Sequence, residues 1–352
     1  MAWALRLARR GLYTTTPNPR VGCVMARDGQ VVGEGWHERA GGPHAEARAL
    51  AAAGTSARGA TAYVTLEPCS HHGRTPPCAG ALLGAGVARV VAAMHDPNPV
   101  VAGRGLATLA AAGIRADCGL MEAEARELNI GFVARMTRGR PWLRVKLAAS
   151  LDGKTALGNG RSQWITGPAA RRDGHRWRAR ACALLTGIGT VRDDDPALTV
   201  RDVATPRQPL RVVVDSRLDI SPSAQVLAGG NALVAAAVDD PGRIASLRAI
   251  GVDVLLLPNP AGKVDLPGLM RELARRGINE IHAEAGFKLS GSLLREGLVD
   301  ELLIYQAPTL LGDVARGMFD LPALTELQGR HDLQITDLRR IGTDLRLLAR
   351  FP

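Results

Sequence analysis

Short apolar runs recur along this chain, separated by segments in which apolar residues return every third or fourth position. The first pattern reads as buried strand and the second as amphipathic helix. Ala2–Arg10 is the first helical stretch. Val21–Ala26 and Gln30–Gly35 flank Arg27-Asp28-Gly29, whose Asp-Gly step predicts a hairpin turn. The pattern then predicts a helix over Ala45–Ala53, a strand at Ala62–Leu66, a helix near Ala79–Ala85 and a strand at Arg89–Ala93. Helix Leu106–Ala112, a strand near Ile114–Ala116 and a helix over Met121–Arg135 complete the first half. Continuous apolar strands between helices predict an α/β fold with a mostly parallel sheet covered on both faces.

The polar segment Met136–Pro141 contains a Gly and a Pro and is the expected boundary, giving domains 1–141 and 142–352. A chain of 352 residues is ample for two cores. In the second half, strands are expected at Trp142–Ala148, Ala183–Thr186, Leu210–Asp215, Ala232–Ala237, Val252–Leu257, Glu280–Glu284 and Glu301–Ala307. Helices are expected over Pro168–Ala181 and Leu266–Arg276, and GFKLSG (Gly286–Gly291) opens another towards Gly297. Asp332–Arg339 and Asp344–Arg350 read as an antiparallel pair joined around Gly342.

The chemistry concentrates in TLEPCSHHGRTPPC (Thr65–Cys78), read with PHAE at Pro43–Glu46. A His, two Cys and a Glu two residues past the His form the pattern of a zinc-dependent deaminase. Catalytic zinc sites offer three protein ligands, here His44, Cys69 and Cys78, and leave a fourth position for water. Glu46 is then a carboxylate beside that water, placed to move its proton to a leaving amine. Cys69 is expected to begin a helix, whose N–H groups favour its thiolate. His44 and Glu46 fall on the first turn of Ala45–Ala53. The general signature separates its cysteines by two residues, whereas eight stand between them here. His71, His72 and His95 read as substrate contacts or loop residues rather than ligands, and Cys23, Cys118 and Cys182 as buried thiols with no site role.

Composition narrows the partners. Aromatics at 3% leave no platform for stacking single-stranded nucleic acid. The net charge of +10 comes from dispersed arginines, which fit phosphorylated metabolites better than a polyanion. Five cysteines without scaffold spacing fit a reducing cytoplasm, and no apolar run reaches membrane-spanning length.

PHAE, YVTLEPCSHHGRTPPC, DPNPVVAGRG, TTTPNPRVGCV and GEGWHERAGGPHAE together resemble the deaminase half of the bifunctional riboflavin-biosynthesis deaminase–reductase family, whose form includes the long cysteine spacer. In the second half, KLAASLDGKTA, SQWITG, DDDPALTVR, VVVDS and EAGFKLSG resemble its reductase half. Without that resemblance, the lone Gly187-Ile-Gly189 would support only a generic nucleotide-binding domain. The resemblance implies a cytidine-deaminase-like three-layer α/β/α domain followed by a dihydrofolate-reductase-like α/β domain. It implies hydrolytic deamination of a phosphoribosylamino-diaminopyrimidine, then NADPH-dependent reduction of the ribosyl group to a ribityl chain. One zinc per chain and NADPH are the implied cofactors. Family positions that contact NADPH fall on Ala148, Trp164, Thr190, Asp194 and Ser216, with Gly286, Phe287, Lys288, Leu289, Ser290, Gly291 and Ser292 as the phosphate-binding turn. Substrate contacts fall on Asn18, Ser162, Arg178, Leu198, Arg201 and Glu284. Lys146, charged within an apolar strand, reads either as a site residue or as a snorkelling one, and His37 in GWHE reads as a substrate contact or a plain loop residue.

A homo-oligomer is expected, with neither nucleic acid nor membrane as partner. The Arg-rich, acid-free N-terminus superficially suggests a transit peptide, but its helix runs straight into TTTPNPRVGCV, so cleavage would cut the fold. Against the family, the first helix is expected to lack a residue or two. The different-class alternative is a zinc deaminase acting on nucleic acid or another pyrimidine, with a C-terminal binding module. Such a module has no use for the reductase motifs.

Overall fold

The computed structural model describes residues 1–70 and 77–352. His71 and His72 lie outside the described residues. The chain divides into two compact units, Met1–Arg140 and Pro141–Pro352.

In the first unit, helix α1 (Ala2–Arg9) precedes the hairpin β1 (Gly22–Arg27) and β2 (Gln30–Trp36). Next come α2 (Ala45–Ala53), β3 (Thr61–Val64), α3 (Cys78–Gly84) and β4 (Arg89–Ala92). Helix α4 (Arg104–Ala111), β5 (Arg115–Cys118), α5 (Glu122–Leu128) and α6 (Ile130–Arg138) complete it. The sheet order is β2-β1-β3-β4-β5. β1 runs antiparallel to both β2 and β3, while β3–β4 and β4–β5 are parallel, so only one side of this sheet has the expected parallel character. The hairpin turn imposes the other. On one face, Ala45, Ala49 and Ala53 of α2 and Leu82 of α3 cover Met25, Val64 and Val90. On the other, Leu5 and Ala8 of α1 meet Leu66, Met94, Ala125 and Leu128. Three layers result.

Two local expectations are corrected. The helix foreseen over Met121–Arg135 breaks at Asn129, which is buried. Its side chain accepts the Arg20 N–H at 2.7 Å and donates to the Arg20 carbonyl at 3.0 Å, a strand-like pairing that competes with the helix backbone. Cys69 does not begin a helix either. It lies in an irregular segment, and α3 starts at Cys78, after Pro77, which lacks the N–H a helix interior needs and takes the capping position instead.

The second unit opens with β6 (Trp142–Ser150), β7 (Lys154–Ala156), α7 (Pro168–Arg180), β8 (Ala183–Gly187) and α8 (Ile188–Asp194). Then come β9 (Leu210–Val214), β10 (Ala232–Ala236), α9 (Pro241–Ala249), β11 (Asp253–Leu256) and α10 (Leu266–Arg275). It ends with β12 (Glu280–Ala283), α11 (Phe287–Arg295), β13 (Glu301–Ala307), β14 (Arg316–Gly317), β15 (Gln334–Ile341) and β16 (Asp344–Arg350). The large sheet runs β11-β10-β9-β8-β12-β6-β13-β16-β15, parallel from β11 to β13 and antiparallel beyond. Short β7 and β14 pair separately. Leu143, Val145, Ile281 and Ala283 face Leu269, Leu273 and Leu293 of α10 and α11 in a dry core. Alternate residues of the same strands, Arg144, Lys146, Glu280, His282 and Glu301, carry charge or polarity to the opposite face. There Arg144, almost wholly buried, is paired with Glu301 and lies 3.6 Å from Glu280. No helix among the described residues is long and apolar enough to cross a membrane.

Candidate functional site

In the first unit, α2 begins where the sequence places it, with His44 at the N-cap and Glu46 in the first turn. That geometry aims His44 Nδ1 at two sulfurs, Cys69 Sγ at 3.6 Å and Cys78 Sγ at 3.3 Å. The three donor atoms lie within 4.8 Å of one another. The backbone N–H of Cys78 also donates to Cys69 Sγ at 3.3 Å, so the start of α3 serves the Cys69 sulfur from outside. The hydrogen bond between the two sulfurs pulls the Cys69 thiol down and pushes the Cys78 thiol up. His44 is raised, chiefly by its contact with Cys69. One imidazole and two sulfurs converging on one point fit the donor set of a zinc ion. Among the described residues, His95 is not part of this cluster.

Glu46 is buried, and burial pushes its carboxyl up to about 7. A carboxyl at that level sits near neutrality, where both accepting and donating a proton are cheap. Behind His44 lies His37, the T-shaped partner of its ring at 5.5 Å. His37 Nδ1 donates to the Pro43 carbonyl at 3.1 Å, which leaves Nε2 to accept from the Asn18 amide at 3.0 Å. Burial lowers His37, so it stays neutral in this role. His37 therefore orients Asn18 and packs on His44.

In the second unit a cleft of about 380 Å³ opens at one end of the parallel strands. Ala148, Ser162, Trp164, Thr190, Asp194, Arg178, Leu198, Arg201, Glu284, Gly286 and Phe287 all line it. Of the three consecutive aspartates, Asp193 and Asp194 reach the cleft, and Asp194 accepts from the Gln163 amide at 3.1 Å. Asp195 instead accepts from the Gln225 N–H at 2.9 Å. Leu198 holds a left-handed backbone (φ 45), a conformation that side-chain-bearing residues adopt at a cost and that often marks a site. Trp164 is 70% exposed, with the Arg171 guanidinium 4.6 Å over its ring.

The remaining expected residues lie elsewhere. Ser216 follows β9, and its hydroxyl accepts from the Val264 N–H at 3.2 Å. Lys288, Leu289, Ser290, Gly291 and Ser292 continue α11 beyond the cleft wall. Leu289 packs towards Gly187, Ser290 is fully buried with its hydroxyl on the Ala285 carbonyl, and a Cβ at Gly291 would overlap the backbone of Asp320. Ser292 donates to the Lys288 carbonyl at 3.1 Å. The Gly286 N–H is taken by Thr190 Oγ1 at 3.0 Å, which ties α11 to α8.

Glu284 is the charged centre of the cleft. Arg178 contacts both its oxygens, Lys146 Nζ lies 3.9 Å away and His282 Nε2 3.4 Å away. Burial alone would raise Glu284, but Arg178, then Lys146 and His282, hold it well below the usual carboxylate range. Lys146 is thus a cleft residue and not a snorkelling one, and burial lowers its ammonium. His282 was missed in the sequence. The alternation Glu280-x-His282-x-Glu284 within a buried strand was the available signal. Arg316 and Met318 were missed as well, because β14, which carries Arg316 to the cleft wall, is only two residues long. Asp152 of the SLDGKTA motif anchors that wall by accepting the Leu311 and Gly312 N–H groups.

Comparison with known proteins bears on both sites. Residues 1–94 match the cytidine and deoxycytidylate deaminase zinc-binding region, and residues 141–347 match the RibD C-terminal domain. The curated "Riboflavin biosynthesis protein RibD" of Escherichia coli (strain K12) is 51% identical over 98% of this chain and 96% of its own length. A solved structure of Acinetobacter baumannii RibD shares 44% identity and a TM-score of 0.94, covering 100% of this chain and 97% of that one. A Thermotoga maritima structure described as a diaminohydroxyphosphoribosylaminopyrimidine deaminase/5-amino-6-(5-phosphoribosylamino)uracil reductase shares 31% identity and a TM-score of 0.87, with 100% and 97% coverage.

Proposed function

The chain belongs to the RibD family of riboflavin-biosynthesis proteins, and from that premise we propose which of its residues carry each half of the chemistry. It is a bifunctional enzyme, a zinc-dependent deaminase and an NADPH-dependent reductase. The substrate is a diamino-(phosphoribosylamino)pyrimidinone, deaminated to the corresponding uracil. That uracil is then reduced from its ribosyl to its ribityl form. The observation that carries the first step is the convergence of His44, Cys69 and Cys78 beside the buried carboxyl of Glu46.

His44, Cys69 and Cys78 would hold zinc, which would supply a Lewis acid that makes water easier to ionise. Glu46 accepts a proton from the attacking water and passes it to the departing amine. Ammonia leaves, and a ring carbonyl remains. Asn18, braced by His37, fixes the pyrimidine. In the second unit the cleft would hold NADPH as the hydride source, and the protein's part would be to align cofactor and opened ribosyl carbon. Ala148, Trp164, Thr190 and Asp194 would contact NADPH, with Ser216 and the Gly286–Ser292 segment contributing to cofactor binding. Ser162, Leu198 and Glu284 would contact the substrate. Arg178 and Arg201 are the arginines among the expected substrate contacts, and either guanidinium could fork onto a ribose phosphate. Arg178 spends its guanidinium on Glu284 and the Thr199 carbonyl, which supports giving the phosphate to the more exposed Arg201.

We place the enzyme in the cytoplasm as a homo-oligomer. None of the five cysteines forms a disulfide, which suits a reducing compartment, and Cys118 is exposed where a buried thiol was expected. Edge strand β15 exposes Ile335 and Leu338, each 57% accessible, which supports a partner along that edge. The test of the whole reading is NADPH oxidation by purified protein given the diaminopyrimidine substrate, before and after zinc is stripped. Oxidation that needs both metal and substrate is the expected result, with supplied uracil intermediate restoring it in the stripped protein. Substrate-dependent oxidation that survives full zinc removal would sink the deaminase assignment.

A further inference from the structure

Glu67 has no role in the chemistry above, yet its side chain is fully buried immediately ahead of Pro68 and Cys69. Oε1 accepts the backbone N–H of Gly105 at 2.9 Å and of Leu106 at 3.3 Å. Oε2 accepts the N–H of Gly103 at 2.9 Å and of Asp96 at 3.1 Å, and His95 Nδ1 lies 3.4 Å away. The Glu67 backbone N–H reaches the Met94 carbonyl at 3.0 Å. Gly105 sits so close to Pro68 that a Cβ there would overlap the Pro68 carbonyl oxygen. One carboxylate thus stitches the segment ending in Cys69 to the start of α4 and the loop before it. The residue type matters, because an ionised carboxylate only accepts, and every group around this one donates.

Cys69 is gripped from its other side by α3, through the Ala79 N–H on its carbonyl and the Cys78 N–H on its sulfur. Without Glu67 that grip would be one-sided. We propose that Glu67 is a positioning residue for the metal centre, fixing the Pro68–Cys69 backbone so that the Cys69 sulfur faces His44 and Cys78 before zinc arrives. The proposal rests on the ligand reading above. A ligand already in place spends no binding energy on being ordered, and loosening the groups behind a metal ligand weakens metal affinity by about 10–100-fold.

Glu67→Gln in the full-length protein tests this. Its amide would turn a donor towards two backbone N–H groups at nearly unchanged volume. Zinc affinity is read by competition with a chromogenic chelator. The expected result is a zinc Kd raised about 10-fold or more, with NADPH oxidation on supplied uracil intermediate unchanged. A folded variant whose zinc Kd matches that of the parent would overturn the proposal while leaving the ligand assignment standing. A parent that binds no zinc overturns both. If Glu67→Gln does not fold, His95→Ala removes a half-exposed partner of the same carboxylate. It should raise the Kd in the same direction by less, and no change there would equally overturn the proposal.

Discussion

Arg178 closes on Glu284 with two bonds, Nη2 to Oε2 at 2.9 Å and Nε to Oε1 at 2.5 Å, and both side chains are largely buried. Arg178→Ala strands the carboxylate beside only Lys146 and His282. The expected loss in the stability of the reductase unit is about 3–5 kcal/mol, with part of it recovered when Glu284→Gln is added. Thermal unfolding of the single and double variants checks this. Equal losses in both would mean that the pair is not what stabilises the fold there.

The same pair sets an acid limit. Glu284 is held below its unfolded value, near 4.3, so the folded state carries fewer protons than the unfolded state in mild acid. Its contribution is complete above that unfolded value and fades as pH falls through the folded one. The midpoint difference between parent and Glu284→Gln should therefore be widest above about pH 5 and shrink towards pH 3. Melting curves across that range decide it, and a gap that widens in acid would refute the assignment.

Glu46→Gln should keep zinc and lose ammonia release by roughly 10²–10⁴-fold, the range for a missing proton carrier. Reduction of supplied uracil intermediate should be unaffected. Metal content and ammonia release measured on one preparation separate the outcomes. Substantial deamination by the zinc-loaded variant would point to another base.

Asp194→Asn should raise the KM for NADPH while leaving ammonia release intact, because Asp194 borders the cleft and accepts from Gln163. Initial rates against NADPH concentration test it. An unchanged KM would give the cofactor role to Asp193, its neighbour on the cleft wall.

Residue type made the metal centre legible. His44, Glu46, Cys69 and Cys78 are the residue types a zinc deaminase uses, the structure gathers the three candidate ligands, and the Ala-rich α2 has the bounds its pattern predicts. Parallel strands such as β8, β9 and β10 were legible because each is a nearly unbroken apolar run. Long-range polar contacts were not. The break at Asn129 depends on Arg20, 109 residues away, and the environment of Glu67 is made of backbone N–H groups that no side-chain pattern records. Helix α8 hides in a Gly- and Asp-rich stretch that reads as loop, and α9 is a short helix whose cap, Asp240 on the Arg243 N–H, resembles an ordinary turn.

Strand β6 opens the second unit, yet it lies between β12 and β13, and its Arg144 meets Glu301 across 157 residues of chain. At roughly 5–20 residues per second, a ribosome takes about 8–30 s to deliver that partner. For most of this interval β6 has neither of its neighbours, because α10 and β12, which cover and flank it, also come late in the chain. Residues 1–140 have by then all been made, with every strand of their sheet available. Birth of the enzyme is therefore staggered, with the deaminase half able to mature and load its metal while the reductase half is still a nascent chain.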